Sequence, residues 1–226
     1  MRSAGYAVGV FCFLIASIGH SEDVRGGKFG VKASPPAGFC ELDKTNVTDV
    51  EFFDAMSNFA RVAGFSVIAA YPDCRELADA RKSHAFISTK LAIFKWAKTV
   101  DRPPSQFISE ACDQVRKSGL SDEQKARVAQ YITEFSKGNI SLKDVLPIGV
   151  IDEVKGTVCY SAKLLRARIA NNGDVSLVYL SALTSIDNRP IMIAQWTNLV
   201  DSTSITTALT NLKNTYAAFA TANGKD

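Results

Sequence analysis

Apolar residues recur at steps of three and four in four segments of the chain, which is the spacing of one helix face. These segments cover residues 48–64, 105–117, 121–138 and a last stretch from about 204 onward. Two of them begin with a capping box, Thr48-Asp49-Val50-Glu51 and Ser121-Asp122-Glu123-Gln124. The pattern therefore predicts four amphipathic helices, and the charged run from Arg75 to His84 fits a short, exposed fifth helix.

Short apolar runs and alternating patterns predict strands in other parts of the chain. The run "FSVIAAY", bounded by Gly64 and Pro72, is too short for a typical helix and predicts a buried strand. "AFISTKLAIFKWA" fits either a strand or a helix, and we favour the strand. Phe29, Val31 and Ala33 alternate with polar or small residues and predict an opening strand. Four further strand candidates follow at 146–154, 156–170, 175–186 and 189–199.

Residues that favour tight turns separate the last four strand candidates. They are Lys155-Gly156, the run from Asn171 to Asp174, and Asp187-Asn188. Asn-Gly between two β-rich runs is typical of a hairpin, because both turn positions tolerate a positive φ. Strands joined by short turns are antiparallel, so we expect an α+β fold in which helices cover an antiparallel β-meander.

The N-terminus has the residue order of a secretory signal peptide: Arg2, an apolar stretch over 6–18, and then small residues up to Ser21. The apolar stretch is shorter than the ~20 residues that a membrane-spanning helix needs. We therefore predict a signal peptide over 1–21, a single α+β domain over 22–226, and a periplasmic or extracellular protein. No later apolar run is long enough to span a bilayer, so we expect no integral membrane segment after signal removal.

The charge balance excludes some classes of partner. The chain has 26 lysines and arginines against 23 aspartates and glutamates. A balance this close to neutral gives neither the basic footprint of a nucleic-acid-binding protein nor a polybasic membrane patch. We expect a protein or an envelope component as the partner, and no nucleic acid.

Four cysteines follow the predicted signal peptide: Cys40, Cys74, Cys112 and Cys159. An even number of cysteines in an exported chain favours two disulfides. Their wide spacing in the sequence excludes a Cys-x-x-Cys redox pair and a close-spaced zinc knuckle. Three pairings are open. We favour Cys40 with Cys74, since both follow predicted strands, and Cys112 with Cys159, which joins the helical segment to the meander.

The sequence contains few residues that are candidates for catalysis or for binding a cofactor. His84 is the single histidine after the predicted signal peptide, so a dyad with Cys74 is the one nucleophile–base pair to consider, with Asp73 or Glu76 orienting the imidazole. A disulfide at Cys74 removes that nucleophile. The sequence contains no paired-histidine metal motif, no phosphate-binding loop and no Gly-x-Ser-x-Gly elbow. We predict no catalytic residues, no metal and no cofactor.

Two groups of charged residues are candidates for a binding surface. Asp73, Arg75 and Glu76 open the charged segment after the "FSVIAAY" strand. Arg166 and Arg168 alternate with apolar residues, so they share one face of a strand and are suited to bind an anion. The competing interpretation of each group is an ordinary solvent-facing surface.

Two short motifs resemble those of a family of small exported alphaproteobacterial proteins of unknown function. They are Gly38-Phe39-Cys40-Glu41-Leu42-Asp43 and Asp73-Cys74-Arg75-Glu76-Leu77. The order of strand, Pro-x-Gly-aromatic, meander and closing helix also resembles the PsbP-type α/β/α sandwich. That resemblance implies that the helices over about 103–138 are an insertion, and neither resemblance implies catalytic residues.

The sequence therefore predicts an exported binding or interaction protein that is not an enzyme. One alternative is a hydrolase of envelope polymers that uses carboxylates or the pair Cys74 and His84. A second alternative is an inhibitor or immunity-type partner of a periplasmic enzyme.

Overall fold

The computed structural model describes residues 31–62, 64–96, 99–117, 122–135, 139–170 and 173–224. Several predicted features lie outside these ranges. They are the signal peptide over 1–21, Phe29 of the opening strand, Ser121 of the second capping box, Gly138 and the turn residues Asn171 and Asn172.

The described residues form five helices at the predicted places. The helices are α1 (Val47–Val62), α2 (Cys74–Ser83), α3 (Pro104–Lys117), α4 (Asp122–Phe135) and α5 (Ser202–Ala222). The predicted N-cap of α1 is wrong, because Asn46 takes that role and not Thr48. The Asn46 side-chain oxygen accepts hydrogen bonds from the backbone N–H groups of Thr48 at 3.0 Å and Asp49 at 3.4 Å. Asp49 is thereby turned into the protein, where it is buried.

Six strands form one antiparallel sheet, which confirms the predicted α+β class. The strands are β1 (Phe65–Pro72), β2 (Lys90–Trp96), β3 (Ile140–Val154), β4 (Val158–Ile169), β5 (Gly173–Ile186) and β6 (Arg189–Asn198). Their order in the sheet is β1-β2-β6-β5-β4-β3. The hairpins β3–β4, β4–β5 and β5–β6 make the predicted meander, and β2 joins it by pairing with β6.

Two strand predictions differ from the structure. Residues 31–36 are irregular instead of an opening strand, because the backbone of Lys32 bonds to the side chain of Asn223 at the end of α5 and not to a strand. β3 begins at Ile140, six residues before the predicted start at 146. Its first residues, Ile140 to Lys143, alternate between apolar and polar and between half-buried and exposed, as expected for an edge strand with one face in solvent.

Helices cover both faces of the sheet. One apolar cluster joins α1 and α3 to the first face, with Met56, Phe107 and Trp196 among its buried residues. A second cluster joins α5 to the opposite face through Leu212 and Phe219. Burial of these side chains removes apolar surface from water, the main driving force of folding. The sheet is therefore the middle layer between two helical layers.

Both favoured disulfide pairings are confirmed. Cys40 bonds to Cys74 with the Cα atoms 5.1 Å apart, and Cys112 bonds to Cys159 with the Cα atoms 5.7 Å apart. The second bond joins α3 to β4 and is buried, with Cys112 1% and Cys159 3% exposed. The first bond joins the segment before α1 to the start of α2, and both of its cysteines are partly exposed.

Three strands continue beyond the end of β6. β6 ends at Asn198, opposite Leu177 of β5, while β3, β4 and β5 run on. We call residues 140–144, 166–169 and 173–176 the three-strand extension. α4 packs against β3, and Ala167 and Ile169 of β4 are buried in the extension. Because side chains alternate between the faces of a strand, one face of the extension is covered and the other is left to the polar residues of β4.

Candidate functional site

The structure keeps the two predicted groups of charged residues apart. Asp73, Arg75 and Glu76 lie where β1 meets α2, at one edge of the sheet. Arg166 and Arg168 lie on β4, and β2, β6 and β5 separate that strand from β1. Four inter-strand steps of about 4.8 Å correspond to roughly 19 Å across the sheet. The two groups therefore do not form one surface.

Asp73 and Glu76 bind the protein's own backbone. The Asp73 carboxylate caps α2 by accepting hydrogen bonds from the N–H groups of Arg75 at 2.9 Å and Glu76 at 3.1 Å. The Glu76 carboxylate accepts from the N–H groups of Ser88 at 2.5 Å and Thr89 at 2.8 Å, which precede β2. Both acids therefore stabilise the backbone around α2. Arg75 is the member of this group that is exposed to solvent.

The proposed nucleophile–base pair does not form a reaction centre. Cys74 is bonded to Cys40, so its sulfur carries no thiolate. His84 is exposed at the end of α2, where it adopts φ 54° and donates its backbone N–H to the carbonyl of Ala80. That is the left-handed conformation of a helix C-cap, which gives His84 a structural role.

Arg166 and Arg168 share one face of β4, as predicted, and both are exposed on the open face of the three-strand extension. Arg168 Nε lies 3.5 Å from the Asp174 carboxylate, and Lys143 Nζ lies 2.6 Å from the other oxygen of that carboxylate. The Lys143 ammonium lowers the pKa of the Asp174 carboxyl. Arg166 has no ion-pair partner within the described ranges, and Lys143 is a member of the site that the sequence reasoning missed.

Apolar side chains continue the same face beside the basic residues. Leu146 of β3 lies opposite Leu164 of β4, two positions before Arg166. Leu146 is 37% exposed, and Ile148, which follows it on the edge strand, is 48% exposed. We call Lys143, Leu146, Leu164, Arg166 and Arg168 the basic–apolar strip. Strict alternation in "LKDVL" would place Lys143 and Leu146 on opposite faces of a strand, so no sequence pattern locates both. The register shift between Leu142 and Asp144 brings them to the same face.

Outside the strip, the charged amine of Lys90 is enclosed between aromatic rings. Lys90 Nζ donates to the carbonyl of Ile87 at 2.9 Å and lies 5.1 Å from the ring centroid of Phe86 and 5.6 Å from that of Trp196. Burial lowers the pKa of the Lys90 amine to about 8, an effect that the nearby Glu76 carboxylate opposes. Because these groups of the protein itself surround the amine, we do not include Lys90 in the site.

Other places in the described ranges offer less chemistry. A depression of about 630 Å³ lies between residues 99–103 and the β5–β6 turn. The backbone N–H of Val100 bonds to the carbonyl of Asn188 across it, which accounts for the contact between these loops. No group of three or more His, Cys, Asp or Glu side chains within the described ranges is arranged to hold a metal ion.

No protein-family model matches the chain, and no curated protein is similar to it in sequence. Among the residues described, no helix is both long enough and apolar enough to cross a membrane.

Proposed function

We propose that this protein is an exported, non-catalytic binding domain that holds an anionic partner on the basic–apolar strip. The observation that carries the proposal is the exposure of Arg166 and Arg168 beside Leu146, on the face of the extension opposite the buried Ala167 and Ile169. Exposed apolar side chains are typical of interaction surfaces when they lie next to cations whose charge is not fully balanced by neighbouring carboxylates. Binding needs such a surface and no titrating pair of residues.

The groups that an enzyme would need are engaged elsewhere. Cys74 is in a disulfide, and the two carboxylates at the start of α2 accept backbone hydrogen bonds. Asp152 is paired with Lys213, which lowers the pKa of its carboxyl, and Glu153 is 2.7 Å from Arg116. A carboxylate with a lowered pKa is a poor general acid. The alternative of an envelope-polymer hydrolase therefore has less support.

The disulfides support export. Two disulfides are the usual mark of a protein that folds in an oxidising compartment. Together with the signal peptide predicted over 1–21, they favour the periplasm or the cell exterior. The resemblance to small exported alphaproteobacterial proteins and to the PsbP-type arrangement stays a prediction.

The test is retention of an envelope partner by the immobilised protein with its disulfides intact. We expect stoichiometric retention that weakens as salt is raised, because exposed ion pairs are screened. A protein that retains nothing under gentle conditions would contradict the proposal. Release of soluble products from purified peptidoglycan would instead support the hydrolase, and loss of a retained enzyme's activity would support the inhibitor or immunity alternative.

A further inference from the structure

We propose that the basic–apolar strip binds an extended acidic segment of a partner protein, in which two carboxylates alternate along the chain and an apolar residue precedes them. The inference rests on the proposed function and adds the chemical class of the partner. It follows from the spacing of the cations, from the charges between them and from the apolar residues beside them.

The spacing of the two arginines matches an extended peptide. Arg166 and Arg168 are two residues apart on β4, which places their Cα atoms about 6.8 Å apart. Side chains at alternate positions of an extended peptide have the same separation. Two such carboxylates can therefore each meet one guanidinium, which binds a carboxylate through two parallel N–H donors.

The two arginines differ in how readily they can pair with a carboxylate of the partner. Arg168 shares Asp174 with Lys143, whereas Arg166 has no ion-pair partner within the described ranges. A first partner carboxylate meets Arg166 without displacing an internal contact. A second one competes with Asp174 for Arg168. We therefore expect Arg166 to contribute more of the affinity than Arg168.

The apolar end of the strip sets the order of residues in the partner. Leu146 and Leu164 lie in register with each other, and Leu164 is two positions before Arg166 on the same face of β4. A partner residue two positions before the first carboxylate therefore lies over leucine side chains. An apolar residue at that position buries surface that is otherwise exposed to water.

Negative side chains lie beside the two arginines, and this mixture of charges favours a peptide over a lipid surface as the partner. Asp144 lies opposite Arg166 in the sheet register, and Asp174 lies opposite Arg168. A continuous anionic bilayer would be repelled by both aspartates, whereas a peptide can place its carboxylates at the cations alone. The mixed charges also match the near-neutral balance of 26 basic against 23 acidic residues in the chain.

The partner lies on the face of the extension and does not extend the sheet at its edge. β3 is the edge strand here, and its pairing with β4 is interrupted by three register shifts, between Leu142 and Asp144, Pro147 and Gly149, and Val150 and Asp152. Bulges and proline prevent a further strand from pairing along an edge. Side-chain contacts on the open face are therefore what the partner uses.

The test measures fluorescence anisotropy of a labelled synthetic peptide, Leu-Thr-Leu-Thr-Glu-Thr-Glu, with the oxidised protein at low salt. We expect saturable binding that R166S weakens about tenfold, the effect of losing one charged hydrogen-bonded contact. R168S and L146S should weaken it less. K155S, which removes another exposed cation at the β3–β4 turn, should leave it unchanged. A peptide with lysine in place of glutamate should not bind.

Three results would overturn the inference. They are no binding of the glutamate peptide at millimolar protein, equal binding by all four variants, and arginine-dependent binding to phosphatidylglycerol vesicles in place of the peptide. The proposed function fails separately. It stands if R166S/R168S loses the envelope partner while the glutamate peptide does not bind, because then only the class of partner is wrong. It fails if R166S/R168S still retains the partner, or if the unsubstituted protein retains nothing.

Discussion

At the scale of single residues, several polar side chains that the sequence suggests are on the surface instead form hydrogen bonds and ion pairs inside the protein. Asp49 is the clearest case, because its carboxylate is buried and accepts from Arg81 Nε at 2.9 Å and from the N–H of Asp43 at 2.7 Å. The Arg81 guanidinium lowers the pKa of the Asp49 carboxyl. The ion pair connects α1 to α2 and compensates a charge that would otherwise be costly to bury.

Lys90 is expected to make stability depend on pH in the alkaline range. Its folded pKa of about 8 is below the unfolded value near 10.5, so the unfolded chain binds more protons between these two values. Stability from this group should therefore rise as the pH increases from about 8 to about 10.5, by at most about 3 kcal/mol.

The measurement compares urea unfolding of the unsubstituted protein and K90M across that range. K90M lacks the titrating amine, so its advantage in the free energy of unfolding should shrink as the pH rises. K155M, at an exposed turn, is the matched control and should change nothing with pH relative to the unsubstituted protein. A constant difference between K90M and the unsubstituted protein would contradict burial of a charged Lys90.

At the scale of elements, local sequence patterns predicted the meander and most helices. Where a predicted strand boundary differs from the structure, the difference has a physical reason. β3 was predicted too short because Ser141, Lys143 and Asp144 interrupt the apolar residues at its start, as an edge strand with one exposed face allows. The pairing of β2 with β6 has no local signal, since it joins residues such as Leu91 and Gln195 that are far apart in the chain. The sequence likewise could not distinguish Glu76, which binds the backbone before β2, from an ordinary surface acid.

The β3–β4 turn is predicted to be sensitive at Gly156. This glycine has φ +71°, and a Cβ added there would lie 3.0 Å from the Cβ of Ser105 in α3. Gly156→Ala therefore combines backbone strain with a tight contact against Ser105, and we expect it to reduce the free energy of unfolding by about 2 kcal/mol.

Gly173→Ala is the matched control for that substitution. Gly173 has φ +77° but no heavy atom within 4 Å of an added Cβ, so it reports the backbone strain alone. We expect it to cost only about 1 kcal/mol in chemical denaturation. Equal losses in the two variants would mean that the turn does not pack closely against α3.

At the scale of the whole molecule, the two disulfides are expected to contribute unequally. Both close long loops, of 34 and 47 residues, so each should stabilise the fold by roughly 4 kcal/mol through loss of unfolded-state entropy. Cys112 and Cys159 are also buried in the cluster beneath α3, whereas Cys40 and Cys74 are partly exposed.

Replacing the buried pair, C112A/C159A, should therefore cost more than C40A/C74A, because it adds a packing defect to the lost cross-link. Urea unfolding of both double variants under oxidising conditions measures the difference. A larger loss for C40A/C74A would show that the segment before α1 contributes more to the fold than its exposure indicates. Four free thiols in the denatured, unreduced protein would contradict both bonds.

The strand order also determines when the sheet can be completed. β1 and β2 form a hairpin-like pair early in the chain, but the neighbour of β2 is β6, the last strand. Closing so long a loop has a high entropic cost before any contact is gained, which slows folding. Until β6 has been made, β2 is an unpaired edge with apolar residues such as Leu91 and Phe94 on both of its faces. A chain of this topology therefore stays short of its native state until almost all of it has left the ribosome, which favours capture by a chaperone or passage through a membrane channel in an unfolded form.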